Sequence, residues 1–393
     1  MLRVPSQAAG VNGSPEHLSP PGAASGKMGH VSELYGKYRL LELISTSRVA
    51  EVFRAKSHGV EGFEKVVVIK RLSRTVSRVQ GYIEAFIEEA KAAVKLSHAN
   101  LVQVFDLGQV ERTFYLAMEY VNGPDLGEVI ERANALRQPF PTDLAIHLVC
   151  EVVKALDFTH RRKDYQLRPL NLVHGGVHPW NVLISRDGEV KLTSFGALRL
   201  QHLLPPGMRP RPESWAPFLA PEVERPEAVG QQADVYGSGA LLHSLLSVGR
   251  PELEGRLERL KDLPRGLLDI LVRTLSPDAH ARQARAGELY EALVTLLFHA
   301  GLKPNNRALA TFLGDLLSRP LPEGTAFAPR ELAEPPLAPS PAPGFLPGPA
   351  AGLPVQPVGP LPPGLPVQPV GPLPPGLLVQ PVGPLPQVLA APP

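Results

Sequence analysis

Cysteine is almost missing from this chain: Cys150 is the only one in 393 residues. A single thiol excludes an internal disulfide framework and fits a reducing compartment such as the cytoplasm. Its neighbours, LAIHLVCEVVKAL, are mostly apolar, so a buried structural thiol is expected rather than a nucleophile. An excess of either charge is missing too. With 40 basic and 38 acidic residues the net charge is +2, which gives no electrostatic case for nucleic acid or a membrane surface as partner. The short clusters Arg161–Lys163 and Arg209–Arg211 read as solvated loops. No run approaches the roughly 18 apolar residues of a membrane span, so no transmembrane helix is expected. The N-terminal MLRVPSQAAGVNGSPEHL lacks the apolar centre of a signal peptide.

Proline is abundant but uneven. Of 45 prolines, 22 lie between Pro335 and Pro393, where no residue is charged. Gly352–Pro363 reads GLPVQPVGPLPP, Gly364–Pro375 repeats it unchanged, and Gly376–Gln387 reads GLLVQPVGPLPQ. Proline locks φ and removes a backbone donor, so neither helix nor sheet can propagate there. Residues 335–393 are expected to form a disordered, polyproline-II-like tail, a spacer or a docking arm for a module that reads PxxP. Residues 1–34, rich in Gly, Ser, Pro and Ala, read as a disordered arm.

Between these ends lies periodic sequence. Tyr38–Ile44, Ala50–Ala55 and Lys65–Lys70 are short β-prone runs, which predicts an antiparallel meander. Gln80–Leu96 places Ile83, Phe86, Ile87, Ala90 and Val94 at helical spacing, and Leu101–Leu107 and Thr113–Val121 return to strand character. After Gly123 helices dominate: Leu144–His160, Ala233–Val248, Gly266–Leu275 and Ala286–His299. Val182–Ile184 and Val190–Leu192 flank an Arg186-Asp187-Gly188 turn and predict a hairpin. Five strands and one helix followed by a helical half predict an α+β fold of two lobes. The expected divisions are 35–121 for the small lobe, 122–300 for the large one, and a helical extension and linker over 301–334.

Two segments carry the chemistry. Val173–Ile184 reads VHGGVHPWNVLI and Lys191–Gly196 reads KLTSFG. They resemble the catalytic loop and metal loop of the eukaryotic-type protein kinase family, HRDxxxxN and DFG. The resemblance covers about Tyr38 to Leu297, and the wording of AEVFRAKSHGVEGFEKVVVIKRL is similar to bacterial Ser/Thr kinases of the myxobacterial type. It implies the bilobal kinase fold and assigns roles in order. Lys70 of VVVIK matches the lysine that holds the α and β phosphates, and Glu89 the acid that pairs with it. Glu119–Val121 matches the hinge that binds adenine, and Asn181 the metal-binding asparagine. His174 and Phe195 match the hydrophobic column between lobes. Glu222 of the APE motif is expected to pair with Arg282, and Asp234 and Gly239 to lie on the helix under the catalytic loop.

The departures from the family fall on the chemistry. Gly176 stands where an aspartate should accept the substrate proton, and Ser194 where a carboxylate should bind Mg²⁺. The phosphate-loop glycines fall on Ser45, Ser47 and Ala50, with Arg48 adding a bulky cation expected in solvent. Glycines serve there because backbone amides must approach the phosphates closely. Val68 narrows the adenine slot. The lysine after the catalytic aspartate is His178, and the threonine before APE is Trp215. No intact catalytic group or metal site is expected, and the affinity for ATP and Mg²⁺ should be reduced.

These residues imply a pseudokinase that signals by presenting a surface to a protein partner, such as an active kinase. Trp215, Pro217 and Phe218 are the expected surface residues. The alternatives are a Ser/Thr kinase of low or unusual activity, an ATP-binding protein without turnover, or a folded anchor for the proline-rich arm.

Overall fold

The computed structural model describes residues 30–58, 64–164, 166–196, 200, 202–205, 213–224, 229–249 and 263–325. The chain divides into two compact units, Met1–Leu337 and Ala338–Pro393, and all described residues belong to the first. The proline repeat and most of the N-terminal arm lie outside them.

The first lobe is a six-stranded antiparallel sheet of order β1-β2-β3-β4-β6-β5 with one helix. Its strands are β1 (His30–Tyr35), β2 (Tyr38–Thr46), β3 (Ala50–His58), β4 (Glu64–Leu72), β5 (Val104–Val110) and β6 (Thr113–Glu119). Five of these match the predicted runs. The sixth, β1, corrects the expected arm over 1–34. It pairs with β2 through Leu34↔Arg39 and Tyr35↔Tyr38, and the Tyr35 ring packs edge-on against Tyr115. Alternation divides β4: Val67 and Ile69 are buried with Phe53, Ala55, Tyr115 and Ala117, while Val68 and Lys70 point to the opposite face.

Helix α1 (Gln80–Val94) follows β4 and buries Tyr82, Phe86 and Ala90. The second lobe contains α2 (Leu126–Ala135), α3 (Thr142–His160), the hairpin β7 (Val182–Ile184) and β8 (Val190–Leu192), α4 (Gln231–Ser247), α5 (Arg265–Thr274), α6 (Ala286–His299) and α7 (Asn306–Ser318). Asp125 caps α2 by accepting from Glu128 N–H at 2.9 Å, and Asn305 caps α7 by accepting from Ala308 N–H at 3.0 Å. The core helix is α3, in which Leu148, Val149, Val152, Val153 and Leu156 are fully buried. Each such side chain contributes about 1.5–3 kcal/mol of transfer free energy. Arg132 of α2 donates to the carbonyls of Leu316 and Leu317 at 3.0 and 2.9 Å, holding α7 on the second lobe.

The two lobes meet at the segment between α1 and β5 and at the hinge. Leu192 N–H donates to Asn100 O and Val102 N–H to Leu192 O, both near 3 Å. Lys191 on β8 pairs with Glu119 at the end of β6 at 3.0 Å.

Candidate functional site

The catalytic loop is suspended from α4. Asp234, 1% exposed, accepts from the N–H groups of His174 and Gly175 at 2.8 and 2.7 Å and binds His160 Nε2 at 2.8 Å. Burial alone would raise the Asp234 carboxyl, but the hydrogen bond and charge of His160 and the Gly175 amide hold it below its usual range. His174 stands edge-on to Phe195 with ring centres 4.7 Å apart, and its Nε2 meets Thr193 O at 2.8 Å. The loop and the SFG segment are thereby locked together.

The suspended loop carries glycine and histidine at the family's aspartate and lysine positions. At Gly176, a Cβ would meet only Asn181 Nδ2 at 3.7 Å and His174 at 3.9 Å, so the glycine is not forced by lack of space. Asn181 donates from Nδ2 to Gly176 O and to His178 Nε2, each at 2.9 Å. Ser194 adopts φ 67°, a left-handed conformation that costs a non-glycine residue about 1–2 kcal/mol.

In place of base, lysine and threonine stands an aromatic group. His178, 2% exposed, stacks on Trp215 with ring centres 4.4 Å apart and 21° between planes. Trp180 lies 5.9 Å from His178, and Phe218 stands edge-on to Trp180 at 6.4 Å. Burial drives the His178 pKa down to about 3, so the ring is neutral at physiological pH. This corrects the expected surface: Pro217 is exposed, but Trp215 is half-buried and Phe218 only 8% exposed.

The phosphate loop is closed on itself. Ser47 Oγ accepts from the N–H groups of Val49 and Ala50 at 3.3 and 3.1 Å and donates to Ala50 O at 3.0 Å. Amides that a glycine loop would offer to phosphate already have partners. Ser73 fastens the same turn, donating from Oγ to Arg48 O at 2.7 Å. Arg48 is half-buried, not in open solvent, and Ser45 pairs with Val52 across β2 and β3. Val49 and Ala50 pack with Leu72, Tyr82 and Phe86 and with Leu200 and Leu204, which follow the SFG segment.

Lys70 and Glu89 do not pair, which corrects the expected ion pair. Lys70 makes no ion pair among the described residues, and burial lowers its pKa. Glu89 faces Gly196: a Cβ there would stand 2.5 Å from Glu89 Oε2, so only glycine admits this approach. At the hinge, the Glu119 carboxylate is engaged by Lys191 and by Gln103 N–H, and Val121 O accepts from Gly123 N–H at 3.1 Å. Glu222 and Arg282 form a two-pronged pair at 2.6 and 2.8 Å, with the Arg282 side chain fully buried.

These residues do not fit a phosphate–magnesium group. The loop amides are taken by Ser47, and the carboxylate ligand is replaced by the hydroxyl of Ser194. Three participants carried no motif signal. Trp180 occupies a variable position of the loop, and Leu200 and Leu204 show only an i, i+4 apolar spacing after SFG.

A two-lobed fold with a hinge, an Asp-anchored catalytic loop and an APE–arginine pair defines a protein kinase scaffold. The protein kinase domain model matches residues 38–290, and the chain belongs to that family. It is 30% identical over 279 residues to the tyrosine-protein kinase MasK of Myxococcus xanthus, covering 67% of this chain and 43% of that protein. Similarity to the serine/threonine-protein kinase PknA of Mycobacterium tuberculosis is 27% over 310 residues, covering 74% and 68%. The chain thus spans less than half the length of the Myxococcus relative. Among solved structures, the Mycobacterium tuberculosis PknI kinase domain superposes with a TM-score of 0.53 at 22% identity, over 67% of this chain and 98% of that one, a likeness of fold. No helix among the described residues is long and apolar enough to cross a membrane.

Proposed function

We propose that this chain is a pseudokinase that acts by binding protein partners and does not transfer phosphate. The observation that carries this reading is the His178–Trp215 stack. It fills the positions of the phosphate-orienting lysine and the bridging threonine with two packed rings, beside a glycine that has no base to offer. Phosphoryl transfer depends on positioned charge, and these positions hold none. Ser214, Ala216 and Pro217 form the exposed rim of this closed site and are the face offered to a partner, such as an active kinase. The uncharged tail over 335–393 is a spacer or a ligand for a PxxP-reading module, and the single thiol suits a cytoplasmic location. The deciding experiment is phosphate transfer from labelled ATP with Mg²⁺ to the chain itself and to a generic substrate. No transfer is expected; transfer that Lys70→Ala abolishes would overturn the reading.

A second reading, nucleotide binding without turnover, is favoured by one observation. Lys70 is a half-buried amine with no ion pair among the described residues, on the same face of β4 as Val68. Thermal stabilisation by millimolar ATP, lost in Lys70→Ala, distinguishes it, because a ligand that binds only the native state raises the melting temperature.

A further inference from the structure

Far from the cleft, the outer stripe of α6 carries Glu291, Val294 and Phe298 at i, i+3 and i+7, followed by Leu302 and Lys303 in the turn before α7. Phe298 is 78% exposed, Leu302 42% and Val294 38%. An aromatic ring so exposed beside two aliphatic chains makes a contiguous apolar patch, a mark of an interaction surface. The ring forms one edge of an open groove of about 510 Å³, walled also by Tyr290, Val294 and Leu302 and floored by His147, Cys150 and Glu151 of α3. The floor is fixed, since His147 Nε2 meets Asn306 Oδ1 at 2.9 Å.

We infer that this face is an isologous dimer interface, and that its occupant is a second copy of this chain. The exposed ring stands at the edge of the groove, and a two-fold axis delivers each ring to the other copy's groove. Charge selects the same arrangement. Glu291 lies toward one end of the stripe and Lys303 at the other, both exposed and both without an ion pair among the described residues. A two-fold axis across α6 runs the two helices antiparallel and brings Glu291 against the partner's Lys303, twice. Parallel stacking would oppose like charges. Phe298 is the anchor of this contact, and the charge pairs form its rim.

Sedimentation equilibrium of the full chain up to about 100 μM tests the inference, a range that resolves micromolar association. The expected result is a concentration-dependent dimer. Phe298→Asp weakens it by about 30-fold or more, as loss of a central anchor does. At concentrations where wild type is monomeric its melting temperature should match wild type, because Phe298 is exposed in the monomer. Glu291→Lys and Lys303→Glu each weaken association by about fivefold, and the two together restore it, since the rim pairs are reversed and not removed. A chain that stays monomeric throughout leaves the groove to an unrelated protein or a small apolar ligand and overturns the proposal. So does a dimer indifferent to Phe298→Asp, or a double charge reversal weaker than either single one.

Discussion

His178 and Trp215 lie face to face, with ring centres 4.4 Å apart, although 37 positions of sequence separate them. One belongs to the catalytic loop and the other to the segment before APE, so the stack joins the two chain stretches that would flank a peptide substrate. Stacked aromatic pairs add about 0.5–1.5 kcal/mol beyond the area they bury. A double-mutant cycle on His178→Ala and Trp215→Ala, read from urea unfolding, should give a coupling energy of that size. Additive losses would mean that the rings only share a location.

Acid should destabilise the fold through the same ring. The His178 pKa is about 3 when folded and about 6.5 when unfolded. The unfolded chain therefore binds the extra proton between those values. Stability is full above about pH 6.5 and falls as pH drops toward 3, by about 1.4 kcal/mol per pH unit for this one group. Burial lowers His174 as well, in the same direction. His178→Phe keeps a ring but cannot titrate, so its urea midpoint should fall less between pH 7 and pH 5 than that of wild type. Equal slopes would remove His178 from the account.

Arg282 is a costly charge to remove. Its fully buried guanidinium meets both Glu222 oxygens and the carbonyls of Ser276 and Gln232 at 2.8 and 3.0 Å. Arg282→Ala removes the donor to the Ser276, Gln232 and Pro277 carbonyls and the buried partner of Glu222, and should cost about 3–5 kcal/mol. Calorimetry that finds less than about 1 kcal/mol, the worth of a surface pair, would contradict the burial argument.

Restoring the two aspartates should not restore a kinase. Gly176→Asp meets no contact closer than 3.7 Å at Cβ, but the position is buried, so the variant should fold with a loss of about 1–3 kcal/mol. The pair Gly176→Asp and Ser194→Asp still faces the stacked rings and the closed Ser47 turn. No phosphate transfer is expected from it, and measurable turnover would show that these obstacles are weaker than the geometry implies.

Ser47 closes the phosphate loop, and its removal should loosen that loop without opening a nucleotide site. Ser47→Ala deletes a hydroxyl that makes three hydrogen bonds and should cost about 1–2 kcal/mol. Millimolar ATP should produce no new shift in melting temperature in this variant, because Leu200 and Leu204 still pack against Val49 and Ala50. A clear shift would identify Ser47 as the sole barrier.

The two-lobed scaffold was legible in the order of its motifs and in strand and helix periodicity, because those patterns record which side chains must face a core. Ala286–His299 and both strands of the short hairpin fall where the pattern puts them. The strand at His30–Tyr35 was not legible, since its support comes from pairing with β2 and from Tyr115, about 80 residues away. Which chemical groups were missing was also written in the residues: Gly176 cannot accept a proton and Ser194 carries no charge, whatever their surroundings.

Where the remaining groups went was decided by tertiary structure alone. Lys70 and Glu89 both survive in the sequence, yet they are apart in the fold, with Glu89 against Gly196. Trp215 and Phe218 read as surface residues but are drawn inward by His178 and Trp180. The physical reason is common to both cases. Residue identity sets what a side chain can donate, accept or ionise, while partner choice depends on distances between segments far apart in the chain, which only packing determines.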